Sequence, residues 1–339
     1  MIKVIHIIPS MSIYGGAEKM VEKLALSNGA SVYEIYTCME NINLIKKLIY
    51  ITKAIFNLMI ICNKFDILHF HLFPSLYISA FIPKKKVIIH EHNTYNRRRE
   101  YSFLSILEGY IYKRASAVIC ISEAAKLSLE KWCGRIKNAV IMENFTRFKY
   151  HSTESRKINE SGKTIRLLMV ASFTDQKRHE SLIRAFCYLP VHYELDLLGD
   201  GKNYKKIENL VYQLGLNKRI RLHGNVKNVA DFFVKADICV LLSNWEGFGL
   251  VVVEAASFDK VTICSNVPGL SDVVANELLL IDNDKSIIEL ASTIESTSRI
   301  IMSEPKKFSS YCKELANRYS FDNYRDRLNN FYTYICHYN

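Results

Sequence analysis

The 339-residue sequence lacks the patterns that mark a secreted or membrane-spanning chain. Its nine cysteines lie far apart, are odd in number and form no C-x-x-C pair, which argues against a disulfide framework. The N-terminus has one early lysine and a very short apolar stretch, a poor match to a secretory signal. No run of about 18 uncharged apolar residues occurs, so no segment is expected to span a membrane. We therefore expect a reduced, cytoplasmic protein.

Acidic residues are also scarce, since 34 Asp and Glu stand against 45 Lys and Arg and the net charge is +11. Two basic runs, at 84–86 and 97–99, concentrate part of this excess in the first third of the chain. The excess predicts either an anionic partner, such as a nucleotide, a phosphorylated lipid or a membrane surface, or simply solvated faces. No basic stretch is interleaved with aromatic residues in a stacking pattern, so we expect no nucleic-acid partner.

The most apolar long stretch, residues 43–62, is interrupted by Lys46, Lys47 and Lys53. This pattern predicts an amphipathic helix with a basic edge. Such a helix either crosses over and covers a sheet, which is the favoured interpretation, or contacts the surface of an anionic membrane. Both interpretations stay open at this point.

The length of the chain fits two domains of about 100 to 200 residues each. Short β-branched runs alternate with helix-length segments, which predicts parallel sheets covered on both faces. The segment 150–163 is almost free of apolar residues and separates two such series, as a linker does. We predict a Rossmann-like domain at 1–155, a second at 156–317, and a terminal helix at 318–339 that packs back on the first. Ligands of such sheets bind beyond the carboxyl ends of the strands, here in a cleft between the domains.

The segment 243–256, SNWEGFGLVVVEAA, carries the strongest functional signal. An apolar strand runs into a glycine-rich turn, and the turn opens a helix with a carboxylate in its second turn. The free amides of residues 248–250 and the helix dipole suit a phosphate group. Glu246 and Glu254 would repel that phosphate unless they face neutral groups. Because carboxylates accept hydrogen bonds from vicinal hydroxyls, we expect one to face a sugar and the other a ribose.

The E-x7-E spacing within EGFGLVVVEA resembles the retaining glycosyltransferases of family 4, which have the GT-B fold. Further matches follow the family's order along nearly the whole chain. They are GGAE at 15–18, GDG at 199–201, ADICVLLS at 236–243, VPGL at 267–270 and the terminal helix. The resemblance implies an α/β protein of two Rossmann-like, doubly wound parallel-sheet domains that face a cleft.

The resemblance also implies roles for particular residues. Glu246 holds hydroxyls of the donor sugar, Glu254 holds the ribose, and Lys177 neutralises the diphosphate. The implied catalytic residues are Glu246, His92 and Lys177. The implied donor-binding residues are Gly15, Gly16, Lys177, Arg178, Gly199, Ser243, Phe248, Gly249, Leu250 and Glu254. The sequence departs from the family at 171–172, where Ala-Ser replaces the usual Gly-Arg, and Arg178 is the candidate substitute.

Two predicted strand ends carry pairs of histidines. His69 and His71 share one face of their strand, and His90 and His92 share one face of the next. His92 matches the family histidine that lines the cleft near the reacting sugar, although a strand-end histidine is about as often structural. With Glu91, the four histidines also permit a metal-dependent hydrolase, but zinc sites generally need a third protein ligand, which the resemblance does not supply. We expect no metal.

The implied function is transfer of a sugar from a nucleotide-diphosphate donor to an acceptor hydroxyl, with retained configuration and without metal or cofactor. The implied acceptor is a lipid-linked oligosaccharide in capsule, O-antigen or lipopolysaccharide synthesis at the inner face of the plasma membrane. A UDP-sugar is favoured over GDP-mannose as donor. Two alternatives remain, a GT-B nucleotide-sugar epimerase and a nucleotide-sugar-binding protein with impaired catalysis.

Overall fold

The computed structural model describes residues 2–10, 16–36, 44–83, 86–152 and 164–338. The chain divides into two compact units. Unit 1 comprises Met1–Arg147 and Phe321–Asn339, and unit 2 comprises Phe148–Ser320. Within the described ranges, no helix is both long and apolar enough to cross a membrane. The eight cysteines in these ranges are free.

Unit 1 is built on a sheet of six parallel strands in the order β2-β1-β3-β4-β5-β6. The strands are β1 (Val4–Ile8), β2 (Ser31–Glu34), β3 (Ile67–His71), β4 (Val87–Glu91), β5 (Ala117–Cys120) and β6 (Ala139–Ile141). Strands β1, β3, β4 and β5 are buried along their whole length. Such burial is expected where helices cover both faces of a sheet, and it explains why these strands are mainly apolar, although β1, β3 and β4 also contain histidines.

Helices connect these strands. They are α1 (Gly16–Asn28), α2 (Leu44–Ile61), α3 (Ser75–Ser79), α4 (Leu104–Arg114) and α5 (Glu123–Cys133), with short 3-10 turns at Cys62–Lys64 and Arg97–Glu100. Helix α5 begins after Ser122, whose hydroxyl accepts a hydrogen bond from the Ala125 amide at 3.0 Å. This cap replaces one of the hydrogen bonds that the first turn of a helix lacks.

Unit 2 repeats the arrangement with a second sheet of six parallel strands. The strands are β7 (Ile165–Val170), β8 (Tyr193–Leu198), β9 (Ile220–Gly224), β10 (Ile238–Leu241), β11 (Thr262–Ser265) and β12 (Leu280–Ile281). Their order is β12-β11-β10-β7-β8-β9, so the order reverses between β7 and β10. The predicted α/β fold of two Rossmann-like, parallel-sheet domains is confirmed.

Seven helices of unit 2 are described. They are α6 (His179–Phe186), α7 (Tyr204–Gln213), α8 (Ala230–Lys235), α9 (Leu250–Ser257), α10 (Ser271–Val274), α11 (Ile287–Ser303) and α12 (Pro305–Arg318), with 3-10 turns at Asp175–Lys177 and Glu277–Leu279. Helix α11 starts with a capping box, in which Ser286 and Glu289 each bind the other's backbone amide. Helix α9 instead starts after Gly249, without a side-chain cap.

The last helix, α13 (Phe321–Tyr338), belongs to unit 1. Its residues Tyr324, Leu328 and Tyr332 are buried in one apolar cluster with side chains from β1, β3 and β5. The boundaries predicted at 155 and 317 differ from the observed ones at 147 and 320. The first shift has a local cause, because the Phe148 ring packs against Phe258 of unit 2 with centroids 4.8 Å apart. Most of the predicted linker, 153–163, lies outside the described residues.

Candidate active site

Several of the residues predicted to bind a donor lie at one edge of the unit 2 sheet. The loop after β7 carries Lys177, and the loop after β10 carries Glu246. Strands β7 and β10 are neighbours, and the strand order reverses between them. Doubly wound sheets bind their ligands beyond the carboxyl ends of the strands at such a reversal. The topology of unit 2 therefore brings the two loops to the usual binding position.

Direct contacts hold the two loops together. The Gln176 side chain donates to the Trp245 carbonyl at 2.7 Å, and the Asn244 amide donates to the Gln176 carbonyl at 2.8 Å. Beside these bonds, the Lys177 ammonium forms an ion pair with the Glu246 carboxylate. The Lys177 and Glu246 side chains are 13% and 15% exposed, so both charges remain within reach of a ligand.

The start of α9 is shaped for contact with an anion. Gly249 precedes the helix with a φ of 79°, a left-handed conformation, and has no side chain that could cap the first amides. The Phe248 ring turns inward, is 2% exposed, and packs edge-on against Tyr319 with centroids 5.1 Å apart. The backbone of residues 248–250 is thus the part of this segment that a ligand can use.

A second glycine supports the backbone at Glu246. Gly269, in the turn after β11, has a φ of 89°, and a Cβ atom there would lie 2.5 Å from the Glu246 carbonyl oxygen. The same atom would lie 3.0 Å from the Gly247 backbone. The turn at 267–270, which the sequence singled out, therefore packs backbone to backbone against the loop that carries Glu246.

Asn283, which follows β12, connects Arg178 to Ser243. The Arg178 guanidinium donates to the Asn283 side chain and also to its carbonyl at 3.2 Å. The Asn283 side-chain amide donates to the Ser243 carbonyl at 2.9 Å, and the Ser265 hydroxyl donates to the Asn283 side chain at 2.8 Å. Arg178 is therefore fixed to the β12 side of the site, while the Ser243 hydroxyl is buried without a hydrogen-bond partner among the described residues.

Gly199 has a packing role in unit 2. Its φ is 127°, and a Cβ atom there would lie 2.1 Å from the Ala171 carbonyl oxygen. The loop after β8 thus packs closely on the loop after β7 that leads to Lys177. Ala171 is buried and Ser172 is exposed, so the position at which the family usually has arginine lies at the surface.

Glu254 lies in the second turn of α9 and is 7% exposed. Leu250, the first residue of the helix, is half-buried. The two predicted carboxylates therefore occupy different surroundings, since Glu246 lies on a loop and Glu254 on a helix.

The remaining predicted residues belong to unit 1. Gly15 lies outside the described residues, and Gly16 is the first residue of α1. His92 lies just beyond β4, with its Nε2 atom 3.3 Å from Nδ1 of His71 and its ring stacked on His90 at 4.1 Å. Burial lowers the pKa of His92 to about 3, so its imidazole is neutral at physiological pH.

Comparison with known proteins assigns the chain to a family. Residues 33–144 match the family described as Glycosyltransferase Family 4, and residues 151–314 match the one described as Glycosyl transferases group 1. The structure of HepE from Anabaena in complex with UDP-glucose has a TM-score of 0.81 with this chain at 17% identity, covering 98% of this chain and 100% of HepE. An uncharacterized glycosyltransferase of Methanocaldococcus jannaschii is 30% identical over 259 residues, which cover 72% of this chain and 70% of that protein. The chain belongs to the GT-B glycosyltransferases.

A further relative of this glycosyltransferase is LpsD of Rhizobium meliloti, a lipopolysaccharide core biosynthesis glycosyltransferase. The two are 30% identical over 172 residues, which cover 50% of this chain and 49% of LpsD. The glycosyltransferase spans about half the length of several curated relatives that it matches.

Sequence reasoning missed the residues that brace the site of the glycosyltransferase. Asn283 follows a strand of only two residues, and Gln176 acts through one side-chain bond to the other loop. Neither belongs to a motif, because their partners lie far away in sequence. For Asn283, the one local signal was its place in the polar segment after the apolar pair Leu280-Ile281, since strand ends in such sheets face the ligand.

Proposed function

We propose that this glycosyltransferase binds a nucleotide-diphosphate sugar at the carboxyl edge of the unit 2 sheet and transfers the sugar to an acceptor hydroxyl. The observation that carries the proposal is the meeting of Lys177, Glu246 and the uncapped start of α9 where the strand order reverses. The cation and the free helix amides suit the diphosphate of such a donor, and the carboxylate suits the hydroxyls of its sugar.

The diphosphate is the leaving group, so its negative charge grows in the transition state. The amides of residues 248–250 and the Lys177 ammonium supply preorganised positive charge for it. The ion pair with Glu246 keeps the ammonium in place until the donor arrives. We propose that transfer needs no metal or other cofactor, because these groups already do that work.

The two carboxylates bind neutral hydroxyls in this proposal. Glu246 takes hydroxyls of the sugar, and Glu254 takes those of the ribose. Gly199, Ser243 and Arg178 shape the rest of the donor site, and Gly15 and Gly16 approach the donor or acceptor through their backbone. UDP-glucose in the HepE complex supports a uridine diphosphate donor.

We propose that configuration at the sugar carbon is retained through attack from the face of the leaving group. The resemblance to family 4 supports this stereochemistry and a place for His92 beside the reacting sugar. Because its imidazole is neutral, His92 would form hydrogen bonds beside the reacting sugar and would not supply a positive charge.

Substitution at Glu246 and Lys177 tests the proposal. Glu246→Gln keeps the shape of the side chain but loses its charge, and Lys177→Met loses the ammonium, so each should lower kcat/KM for sugar transfer about 100-fold or more. Glu180→Gln, at an exposed carboxylate on α6, is the matched control and should leave transfer unchanged. A panel of labelled nucleotide sugars identifies the donor, and linkage analysis of the product reports its configuration.

Two outcomes contradict the proposal. One is full transfer by Glu246→Gln and Lys177→Met with every donor that the wild type accepts. The other is conversion of the donor to its epimer in the absence of any acceptor.

The acceptor in our proposal is a lipid-linked glycan of a bacterial surface polysaccharide, such as lipopolysaccharide, capsule or O-antigen. The relative LpsD, a lipopolysaccharide core biosynthesis glycosyltransferase, supports this assignment. A cavity of about 650 Å³ in unit 1 adds physical support, because its walls are mostly apolar and come from α2, α3 and the segment before α4. Arg98 supplies a positive charge at that cavity, held by the Glu108 carboxylate at 2.7 Å and placed over the Phe73 ring at 4.9 Å. An apolar wall with one fixed cation suits a lipid that bears phosphate.

The exposed face of α2, which contributes to the same cavity, supports contact with an anionic membrane. Helix α2 buries Ala54 and Leu58 against unit 1 and leaves large apolar side chains in solvent. They are Ile45, Leu48, Ile49, Phe56, Met59 and Ile60. Lys46, Lys47 and Lys53 are exposed on the same helix. We propose that α2 lies in the interface of the cytoplasmic leaflet, where apolar burial and attraction to anionic lipids act together.

A further inference from the structure

Five histidines lie on one face of the unit 1 sheet. His6 comes from β1 and is opposite His69 of β3, while His71 is opposite His90 of β4. Paired residues of neighbouring strands point to the same face, and His92 follows His90 by two residues. The first four are at most 3% exposed. The sheet thus collects imidazoles in its interior, where each unpaired nitrogen is costly.

Three of these imidazoles are close enough to share one ion. Nδ1 of His6 lies 2.9 Å from Nε2 of His71, and the rings of His69 and His71 have centroids 4.2 Å apart. One nitrogen from each of the three lies within 4.8 Å of the others. Imidazole nitrogens about 2.0 to 2.1 Å from a tetrahedral metal are a little over 3 Å apart, so small side-chain adjustments would bring the three nitrogens into place, and a water would supply the fourth ligand.

In two of these three histidines, the nitrogen that would not bind the ion already has a contact that orients the ring. Nδ1 of His69 lies 2.7 Å from the Tyr332 hydroxyl of α13, and Nδ1 of His71 lies 3.3 Å from Nε2 of His92. Nε2 of His69 remains buried without a hydrogen-bond partner among the described residues. A histidine that binds a metal generally uses its second nitrogen in such an outer contact. The unpaired Nε2 atom of His69 and the outer contacts that orient the His69 and His71 rings are therefore features expected of a metal site.

A second group, His71 with His90 and His92, also contains orphaned nitrogens, since neither nitrogen of His90 has a partner among the described residues, but its ring geometry is less suited to an ion. The rings of His90 and His92 are stacked 4.1 Å apart with an angle of 19° between their planes. Because the lone pair of an imidazole nitrogen lies in the ring plane, two nearly parallel rings direct their lone pairs at one point less readily than two strongly inclined rings. The rings of His6, His69 and His71 are inclined more strongly, by 31° to 34°.

We propose that His6, His69 and His71 form a binding site for a divalent transition-metal cation of the zinc class. A site of three neutral imidazoles binds zinc, cobalt and nickel in preference to magnesium and calcium. The cation joins β1 to β3 and, through the Tyr332 contact, ties α13 to the sheet. The site stabilises unit 1 and takes no part in the donor chemistry of unit 2.

Metal titration of the untagged full-length chain tests the site. After treatment with a chelator, the protein should bind one equivalent of Co²⁺, with a visible absorption band of tetrahedral cobalt, and Zn²⁺ should displace it. X-ray absorption of the zinc form should show nitrogen and oxygen ligands and no sulfur. This measurement on the wild type requires no variant to fold.

Variants then identify the ligands. His69→Gln should weaken Zn²⁺ binding at least 100-fold, and Tyr332→Phe should weaken it about 10-fold to 100-fold as an outer contact does. His90→Gln is the matched control in the same cluster, and His223→Gln is the control in unit 2; both should retain the wild-type affinity. Absence of stoichiometric binding, sulfur ligation, or a loss that follows His90 and spares His69 would each overturn the proposal.

Discussion

At the scale of single residues, the donor loop depends on backbone conformations that only glycine adopts without strain. Gly269 has a φ of 89° and touches the backbone that carries Glu246, whereas Gly215, with a φ of 67°, faces open space. Both positions disfavour a Cβ atom by their φ alone, at a cost of about 1 kcal/mol. Only at Gly269 would a Cβ atom also displace a neighbouring segment. Comparing substitutions at the two glycines therefore distinguishes the effect of backbone strain from the effect of the contact with the Glu246 loop.

We predict that Gly269→Ala lowers the free energy of unfolding of unit 2 by about 2 kcal/mol or more and weakens nucleotide-sugar binding, because the Glu246 loop must move. Gly215→Ala should cost about 1 kcal/mol and leave binding unchanged. Chemical unfolding and calorimetric titration with the preferred donor measure the two effects. Equal losses of affinity in both variants would show that the contact at Glu246 has no bearing on the donor site.

His179 gives unit 2 a dependence on pH. Its ring is 3% exposed and stacked on Phe173 with centroids 4.2 Å apart. Burial, and then the nearby Lys177, lower the pKa of His179 from 6.5 to about 4. The folded state therefore favours the neutral ring, and the contribution of His179 to the free energy of unfolding is complete above pH 6.5. That contribution is lost as the pH falls from 6.5 to 4, because the unfolded chain binds the proton first.

Replacing His179 with glutamine should remove this part of the acid sensitivity. Between pH 7.5 and pH 5 the wild type should lose about 2 kcal/mol more stability than His179→Gln. Urea unfolding followed by Trp245 fluorescence, in a Trp132→Phe background, reports on unit 2. His192→Gln, at an exposed histidine next to β8, should behave as the wild type. Parallel losses in wild type and His179→Gln would contradict the assignment.

At the scale of helices and strands, the sequence predicted the buried strands well and the marginal ones poorly. Strands β5 and β10 are continuous apolar runs, which are recognisable because both faces of the sheet are covered. Strand β2 is polar and partly exposed, and β12 has two residues, so neither has a periodicity that can be read. Their existence depends on pairing with β1 and β11, which is a tertiary effect.

The same contrast holds for the candidate site: residues within short motifs could be predicted, whereas residues that act on partners far away in sequence could not. Glu246, Lys177 and the glycine turn before α9 were singled out from short segments of the sequence, and the structure brings Lys177 and Glu246 into contact. Asn283 was not singled out, since it acts on Arg178 and Ser243 from the far end of the sheet. The histidine His6 was missed for the same reason, because its partners come from another strand.

Helix α2 has a chemically testable outer face. Phe56 and Met59 are 67% and 53% exposed, and both side chains would enter the bilayer interface in our proposal. The double variant Phe56→Glu, Met59→Glu should reduce binding to vesicles of mixed anionic and zwitterionic lipid at least 10-fold, through lost apolar burial and added repulsion. Leu127→Glu, 57% exposed on α5, is the matched control and should bind normally. Flotation assays measure both; unchanged flotation of the double variant would exclude α2 as the contact.

At the scale of the whole molecule, the chain crosses from unit 1 to unit 2 and returns. Residues 321–339 belong to unit 1 although the intervening Phe148–Ser320 form unit 2. The returning helix α13 is part of the unit 1 core, because Leu328 is fully buried and Tyr332 reaches His69. Unit 1 therefore cannot complete its core until the last helix has been made, whereas unit 2 contains all of its own strands.

This arrangement predicts that a substitution that weakens the packing of α13 destabilises β1 and β3, which are distant in sequence, and leaves unit 2 unchanged. Leu328→Ala should lower the stability of unit 1 by about 2 to 5 kcal/mol, since it removes a fully buried side chain and leaves a cavity. Hydrogen exchange measured by mass spectrometry should rise in peptides from β1 and β3 and stay unchanged in β7 and β10. Asn330→Ala, at an exposed position of the same helix, should alter neither set. Faster exchange in β7 and β10 of Leu328→Ala would instead mean that the two units unfold as one, and that α13 stabilises both.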